Sequence, residues 1–70
     1  MDFSNVGTAE RVDDAFRAHV KLRINGQQRN AYGPWRPDET AAKEDLESMR
    51  AAASGMSRED GFAAMKAEAE

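Results

Sequence analysis

Residues 16–24 alternate apolar and basic side chains without interruption, which is the pattern of a β-strand with one buried face. Four side chains form what we call the basic row, and five apolar side chains form the opposite row. The pattern predicts one strand that separates a core from a cationic face. The basic row is Arg17, His19, Lys21 and Arg23; the apolar row is Phe16, Ala18, Val20, Leu22 and Ile24.

A hairpin is predicted next, because the Asn-Gly pair at 25–26 tolerates the positive φ angles of a tight turn. The return strand covers about residues 27–32, and two registers fit it. A two-residue turn would place Tyr32 on the cationic face. A three-residue loop with a bulge would pair Arg23 with Arg29 and send Tyr32 to the core. We favour the second register, since it buries the aromatic ring and adds Arg29 to the basic row.

A third strand is expected before the hairpin, near residues 3–6 or 9–12, because a lone hairpin is marginally stable in water. From Pro37 the apolar period changes to that of a helix, over residues 37–53, with a buried stripe at positions 42, 46, 49 and 53. Gly55 ends that helix. Ser57 with Asp60 resembles a capping box for a second, short helix over residues 57–70, with a stripe at Phe62, Met65 and Ala69.

These elements predict an α+β fold, a three-stranded antiparallel sheet packed on one helix with a second short helix after it. The expected core joins the apolar row of the sheet to the helix stripe. It comprises Phe16, Val20, Leu22, Tyr32, Trp35, Leu46 and Met49.

Charge is distributed unevenly along the chain. The net charge is −3, but residues 11–36 carry six cations against two carboxylates, a net +4, and residues 37–70 carry four against nine, a net −5. A ligand responds to the local field, so the region around the sheet favours anions. A row of cations about 7 Å apart on a strand could match a polyanion such as nucleic acid, or it could be only the solvated face of a strand. All four positions are cationic and none is acidic, so we favour binding.

Catalysis has little support in the sequence. We expect no deep catalytic cavity in a chain of seventy residues, and the chain lacks cysteine, a glycine-rich phosphate loop and a nucleophile–base set with suggestive spacing. A single histidine is no metal site. We expect neither an enzyme nor a cofactor, a metal or a small-molecule substrate. With no apolar run long enough to cross a bilayer and no signal peptide, we expect an intracellular domain without a membrane partner. Because the sequence stops at Glu70 within a helical pattern, we also expect a module cut from a longer protein.

Residues 3–54 resemble the Apetala-two/ethylene-response-factor DNA-binding domain. The match lies in Phe-Ser-Asn-Val at 3–6, Phe-Arg-Ala-His-Val at 16–20, Asn-Gly at 25–26, Tyr-Gly-Pro-Trp at 32–35 and Asp-Glu-Thr-Ala-Ala at 38–42, and in the spacing between these blocks. Residues 57–70 would be an additional C-terminal helix. The resemblance implies a sheet lying in the major groove of duplex DNA, in a nuclear regulator of transcription or another genome-associated protein. The DNA-binding residues it implies are Arg17, His19, Lys21 and Arg29, with Arg23 next in the row and Arg11 available on the first strand.

A protein-interaction module of the same fold is the alternative, and RNA is a third, weaker candidate partner. Nucleic acid requires cations in the contact, whereas a protein bound to the helical half would meet its carboxylates. The acidic surface of that alternative is Asp38, Glu39, Glu44, Asp45, Glu47, Glu59 and Asp60.

Overall fold

The computed structural model describes residues 2–70 and has three strands followed by two helices. The strands form one open antiparallel sheet in the order β1-β2-β3. The predicted α+β fold is confirmed, and the first strand occupies the second of its two expected positions. The elements are β1 (Thr8–Val12), β2 (Ala15–Ile24), β3 (Gln27–Tyr32), α1 (Glu39–Ala53) and α2 (Arg58–Ala69).

The β2–β3 hairpin has a two-residue turn, so the register that we favoured is wrong. Asn25 and Gly26 have φ angles of 52° and 79°, and a turn with two positive φ angles matches the twist of the flanking strands. Cross-strand partners share a face, and Tyr32 is the partner of His19. Tyr32 therefore lies on the cationic face, and Arg29, the partner of Leu22, lies on the other.

Both helices begin at side-chain caps. An Asp38 carboxylate oxygen accepts a hydrogen bond from the backbone N–H of Ala41 at 2.8 Å, so α1 starts two residues later than expected. The Ser57 hydroxyl accepts from the N–H of Asp60 at 3.2 Å, as the capping pattern predicted. The predicted stripe of α1 is buried at all four positions, and Phe62 and Met65 of α2 are buried.

Both helices pack on the same face of the sheet, and one core cluster joins the 3–54 region to the 57–70 helix. The core prediction is correct for Val20, Leu22, Leu46 and Met49, but Phe16 is only partly buried. It is wrong for Tyr32 and Trp35, whose side chains are 43% and 50% exposed. Alanines let the helices approach the sheet closely. Side chains outside the expected core, such as Phe3 and Phe62, fill the remaining space. The full cluster is Phe3, Ala18, Val20, Leu22, Ile24, Ala31, Leu46, Met49, Ala53, Phe62 and Met65.

The segment before β1 packs against α2 and is hydrogen-bonded to α1. Phe3 is 3% exposed and lies against Gly61 of α2, where an added Cβ would overlap the Phe3 ring. Arg50 of α1 donates from Nε to the carbonyl of Val6 at 2.8 Å and from Nη2 to that of Gly7 at 3.3 Å. These contacts make the residues before β1 part of the packed domain.

Candidate nucleic-acid interface

One face of the sheet is left uncovered by the two helices, and we call it the open face. The basic row of β2 lies on it. The register adds side chains from both neighbouring strands to this face, because directly paired residues point the same way. These added residues are Thr8, Glu10 and Val12 of β1 and Gln28, Asn30 and Tyr32 of β3.

Four planar side chains lie together on the open face, and we call them the planar cluster. The guanidinium carbon of Arg17 is 3.9 Å from the centroid of the Tyr32 ring and 4.4 Å from that of Trp35. The ring of His19 stacks on Tyr32, with centroids 4.6 Å apart and an interplanar angle of 11°. A cation over an aromatic face is stabilising by roughly 0.5–1 kcal/mol at exposed sites. The cluster thus has a defined geometry although it is not part of the core.

Trp35 reaches the cluster because the chain stays beside β2 after β3 ends. The N–H of Gly33 donates to the carbonyl of Ala18 at 2.9 Å, and Phe16 and Arg36 exchange backbone hydrogen bonds of 2.9 and 2.6 Å. Between these two paired positions the chain has one residue more after β3, from 32 to 36, than β2 has from 19 to 16. An extra residue of this kind is a β-bulge, which re-aims side chains. Here it turns the indole towards the open face.

The bulged segment is fixed to α1 by one ion pair. Arg36 donates from Nε and Nη2 to the two carboxylate oxygens of Asp45, at 2.7 and 3.0 Å. The hydrogen bond to Asp45 and the charge of that carboxylate raise the pKa of Arg36 above its ordinary value. Because the two groups meet in the bidentate arrangement, the pair has a preferred orientation. It anchors the residue next to Trp35 on the helix side of the sheet.

Glu10 compensates part of the positive charge of the basic row. One of its carboxylate oxygens accepts from Nε of Arg17 at 2.7 Å, and the other lies 3.5 Å from Nδ1 of His19. The second ring nitrogen of His19 is 3.0 Å from the side-chain oxygen of Asn30. The charge of Arg17 is therefore neutralised within the fold, and Arg17 holds the planar cluster in place.

Unpaired cations remain at the hairpin end of β2. Lys21 and Arg23 are exposed, and neither side chain has a hydrogen-bond or ion-pair partner within residues 2–70. Their cross-strand neighbours are Asn30 and Gln28, two amides that can both donate and accept. We call these four residues the hairpin patch. It is the part of the open face with free positive charge.

The six cations predicted from the sequence are divided between the two faces. Arg17, His19, Lys21 and Arg23 lie together on the open face. Arg29 lies on the helix side, 5.8 Å from the ring centroid of Phe62, so its assignment to the basic row is corrected. Arg11 also lies on the helix side of the sheet, where it is 5.9 Å from the ring centroid of Phe16 and donates to the Asp13 carbonyl.

Sequence reasoning missed the open-face roles of Glu10, Gln28, Asn30, Tyr32 and Trp35. The register with a two-residue turn would have indicated Gln28, Asn30 and Tyr32, because the register sets the face of every β3 side chain. Within the described part of the chain, no group of three or more His, Asp or Glu side chains could hold a metal ion. No helix among residues 2–70 is long and apolar enough to cross a membrane.

No protein-family model, curated protein or solved structure matched this chain. The open face is therefore interpreted from its own residues and geometry.

Proposed function

We propose that this chain is a DNA-binding module that lays the open face of its sheet in the major groove of duplex DNA. The observation that carries the proposal is the hairpin patch, where two unpaired cations and two amides share a face that no other element covers. The major groove admits a two-stranded β-ribbon. The helices would then point away from the duplex.

The chemistry of the patch suits both parts of DNA recognition. Lys21 and Arg23 can neutralise phosphates, which supplies affinity without sequence information. Gln28 and Asn30 carry amides, and amides bind adenine edges in a bidentate manner. The planar cluster adjoins the patch through the contact between His19 and Asn30. It would hold the patch in one geometry before DNA binds.

The family resemblance supports the same face. The Apetala-two/ethylene-response-factor domain has a three-stranded sheet followed by a helix, the order found in residues 8–53. Carried over to this chain, its mode of binding uses Arg17, His19, Lys21 and Arg29, with Arg23 next in the row, and all of these except Arg29 lie on the open face. The proposal therefore extends to membership of that family and to a place in a nuclear regulator of transcription or another genome-associated protein, without catalysis.

The alternative, a protein-interaction module using the acidic helical half, has less support. Asp38 caps α1, and Glu39, Asp45 and Glu47 pair with cations of the same domain. These carboxylates already serve the fold. The acidic residues left over are divided between the two helices, with Glu44 on α1 and Glu59 and Asp60 at the start of α2.

An NMR titration of the full chain with random-sequence duplex DNA at low salt tests the proposal. Backbone shifts should cluster at residues 19–30, since these carry the patch and its turn. Shifts confined to residues 38–70, or none at low salt, would refute DNA binding through the sheet. A matched single-stranded RNA of equal charge is the comparison, and tighter binding to it would replace duplex DNA with RNA as the partner.

The salt dependence of binding should report two phosphate contacts. With Arg17 neutralised and Arg29 on the other face, log affinity should fall with log salt at a slope of about −1.8, from about −0.9 per contact. Lys21→Gln should make the slope shallower by about 0.9 if its contact is to phosphate. Arg29→Gln removes the same charge from the opposite face of the sheet and is the control. Equal effects of the two variants would contradict the assignment of the faces.

A further inference from the structure

A shallow cleft lies at the end of the sheet opposite the hairpin, beside the turn between β1 and β2. Its volume is about 490 Å³, and it is lined by Val12, Asp13, Asp14, Ala15 and Trp35. None of the hairpin-patch residues lines it. The cleft thus shares Trp35 with the planar cluster but is separate from the hairpin patch.

The cleft combines exposed apolar surface with two carboxylates that form no ion pair, although the Arg11 guanidinium donates to the nearby Asp13 carbonyl at 3.0 Å. Trp35 and Val12 are 50% and 47% exposed, the two most exposed of the large apolar side chains in residues 2–70. The carboxylates of Asp13 and Asp14 have no hydrogen-bond or ion-pair partner in the described structure. Asp13 has a φ of 54°, so the turn holds it in the left-handed region.

The charge of the cleft excludes one partner class and favours another. Two carboxylates repel phosphate, so this end of the sheet does not suit nucleic acid. A guanidinium group suits both the carboxylates and the indole of the cleft, because it forms bidentate pairs with carboxylates and stacks on aromatic faces. The Trp35 ring already accepts such a group, since the guanidinium carbon of Arg17 lies 4.4 Å from its centroid. Arg17 is not among the residues that line the cleft.

We propose that this cleft binds an arginine side chain presented by a protein partner. The guanidinium pairs with Asp13 and Asp14, and the aliphatic part of the side chain lies on Val12 and the indole. The site is distant from the hairpin patch, because Ala15 and Lys21 are separated by roughly 20 Å along an extended strand. A partner could therefore occupy the cleft while the hairpin patch is bound to DNA.

The test uses Trp35, the only tryptophan of the chain, as a fluorescent reporter in the 70-residue chain. The probe is a capped pentapeptide, Gly-Leu-Arg-Leu-Gly, titrated while the emission of Trp35 and the NMR shifts of residues 12–15 are recorded. The comparison peptide has citrulline in place of arginine, which keeps the shape and removes the charge. We expect saturable shifts with the arginine peptide. The citrulline peptide should bind at least about fivefold more weakly, because a ratio of about five between two dissociation constants corresponds to about 1 kcal/mol.

The Asp13→Asn, Asp14→Asn double variant removes both charges and retains a residue that tolerates the left-handed conformation. This variant should bind the arginine peptide more weakly by a similar factor. Glu44→Gln with Glu68→Gln removes the same charge from the helices and should leave peptide affinity unchanged. Equal binding of both peptides, or equal loss in both double variants, would overturn the proposal. So would shifts of Trp35 that depend on protein concentration without peptide, which would indicate a second copy as the occupant.

Discussion

The two faces of β2 are made of alternating residues of one strand, yet they are organised by different interactions. On the helix side, Ala18, Val20, Leu22 and Ile24 are at most 7% exposed. On the open side, Arg17 and its neighbours are held by stacking and by the Glu10 carboxylate. Burial stabilises the first face, and directional contacts between partly exposed groups fix the second.

Size and aromaticity do not decide which side chains enter the core of so small a domain. Tyr32 and Trp35 are outside it, whereas Ala42 and Ala53 are completely buried. Closely approaching helices leave room for small and flexible side chains, and methionine adapts to irregular spaces. The large planar groups are available for the open face as a result.

The largest expected difference between the faces is in stability. Leu46→Ala should lower the free energy of unfolding by about 2–5 kcal/mol, because it leaves a cavity under the sheet. Trp35→Ala should lower it by only about 1–2 kcal/mol, since half of that side chain is already in water. Urea unfolding of the two variants measures both values. A loss from Trp35→Ala equal to that from Leu46→Ala would show that the planar cluster belongs to the core.

A second substitution tests how tightly the helix side is packed. Gly61→Ala improves helix propensity by roughly 1 kcal/mol, but the methyl group meets Phe3. Overpacking typically costs about 1–3 kcal/mol, so we expect a net loss of stability. In a Phe3→Ala background the same change should be neutral or stabilising, which a double-mutant cycle detects. A stabilising Gly61→Ala in the otherwise unaltered chain would disprove the contact.

The smallest effect is expected on the open face. Glu10→Gln removes a partly exposed ion pair worth about 0.5 kcal/mol, and the melting temperature should fall by about 2–4 °C. If the proposed DNA contact is correct, freeing Arg17 should raise affinity and steepen the salt slope by about 0.9. Glu44→Gln, an acid on the helical side, is the control. An unchanged slope would mean that Arg17 does not reach the phosphates.

Local patterns predicted the elements because their causes lie within a few residues. Asp38 and Ser57 cap the helices as their spacing indicated, and the α1 stripe is buried as predicted. The Asn25-Gly26 pair correctly marked the turn. Each of these features depends on short-range sterics and hydrogen bonds, which a sequence displays directly.

The planar cluster could not be predicted because it depends on the register of the β2–β3 hairpin. One residue of difference in the turn exchanges the faces of Tyr32 and Arg29, and both registers are consistent with Asn25-Gly26. The bulge that turns Trp35 outward depends on backbone pairing between Phe16 and Arg36. The burial of Phe3 depends on Gly61 in the last helix, and no periodic pattern links the two.

The contact between Phe3 and Gly61 also has a consequence for the order of folding. The hairpin and the helices join residues that are close in sequence, so they can form early. The contact of the Phe3 ring with Gly61 forms only when α2 is in place, which requires closing a loop of nearly the whole chain. During synthesis the core would stay open on that side while α2 is still inside the ribosome.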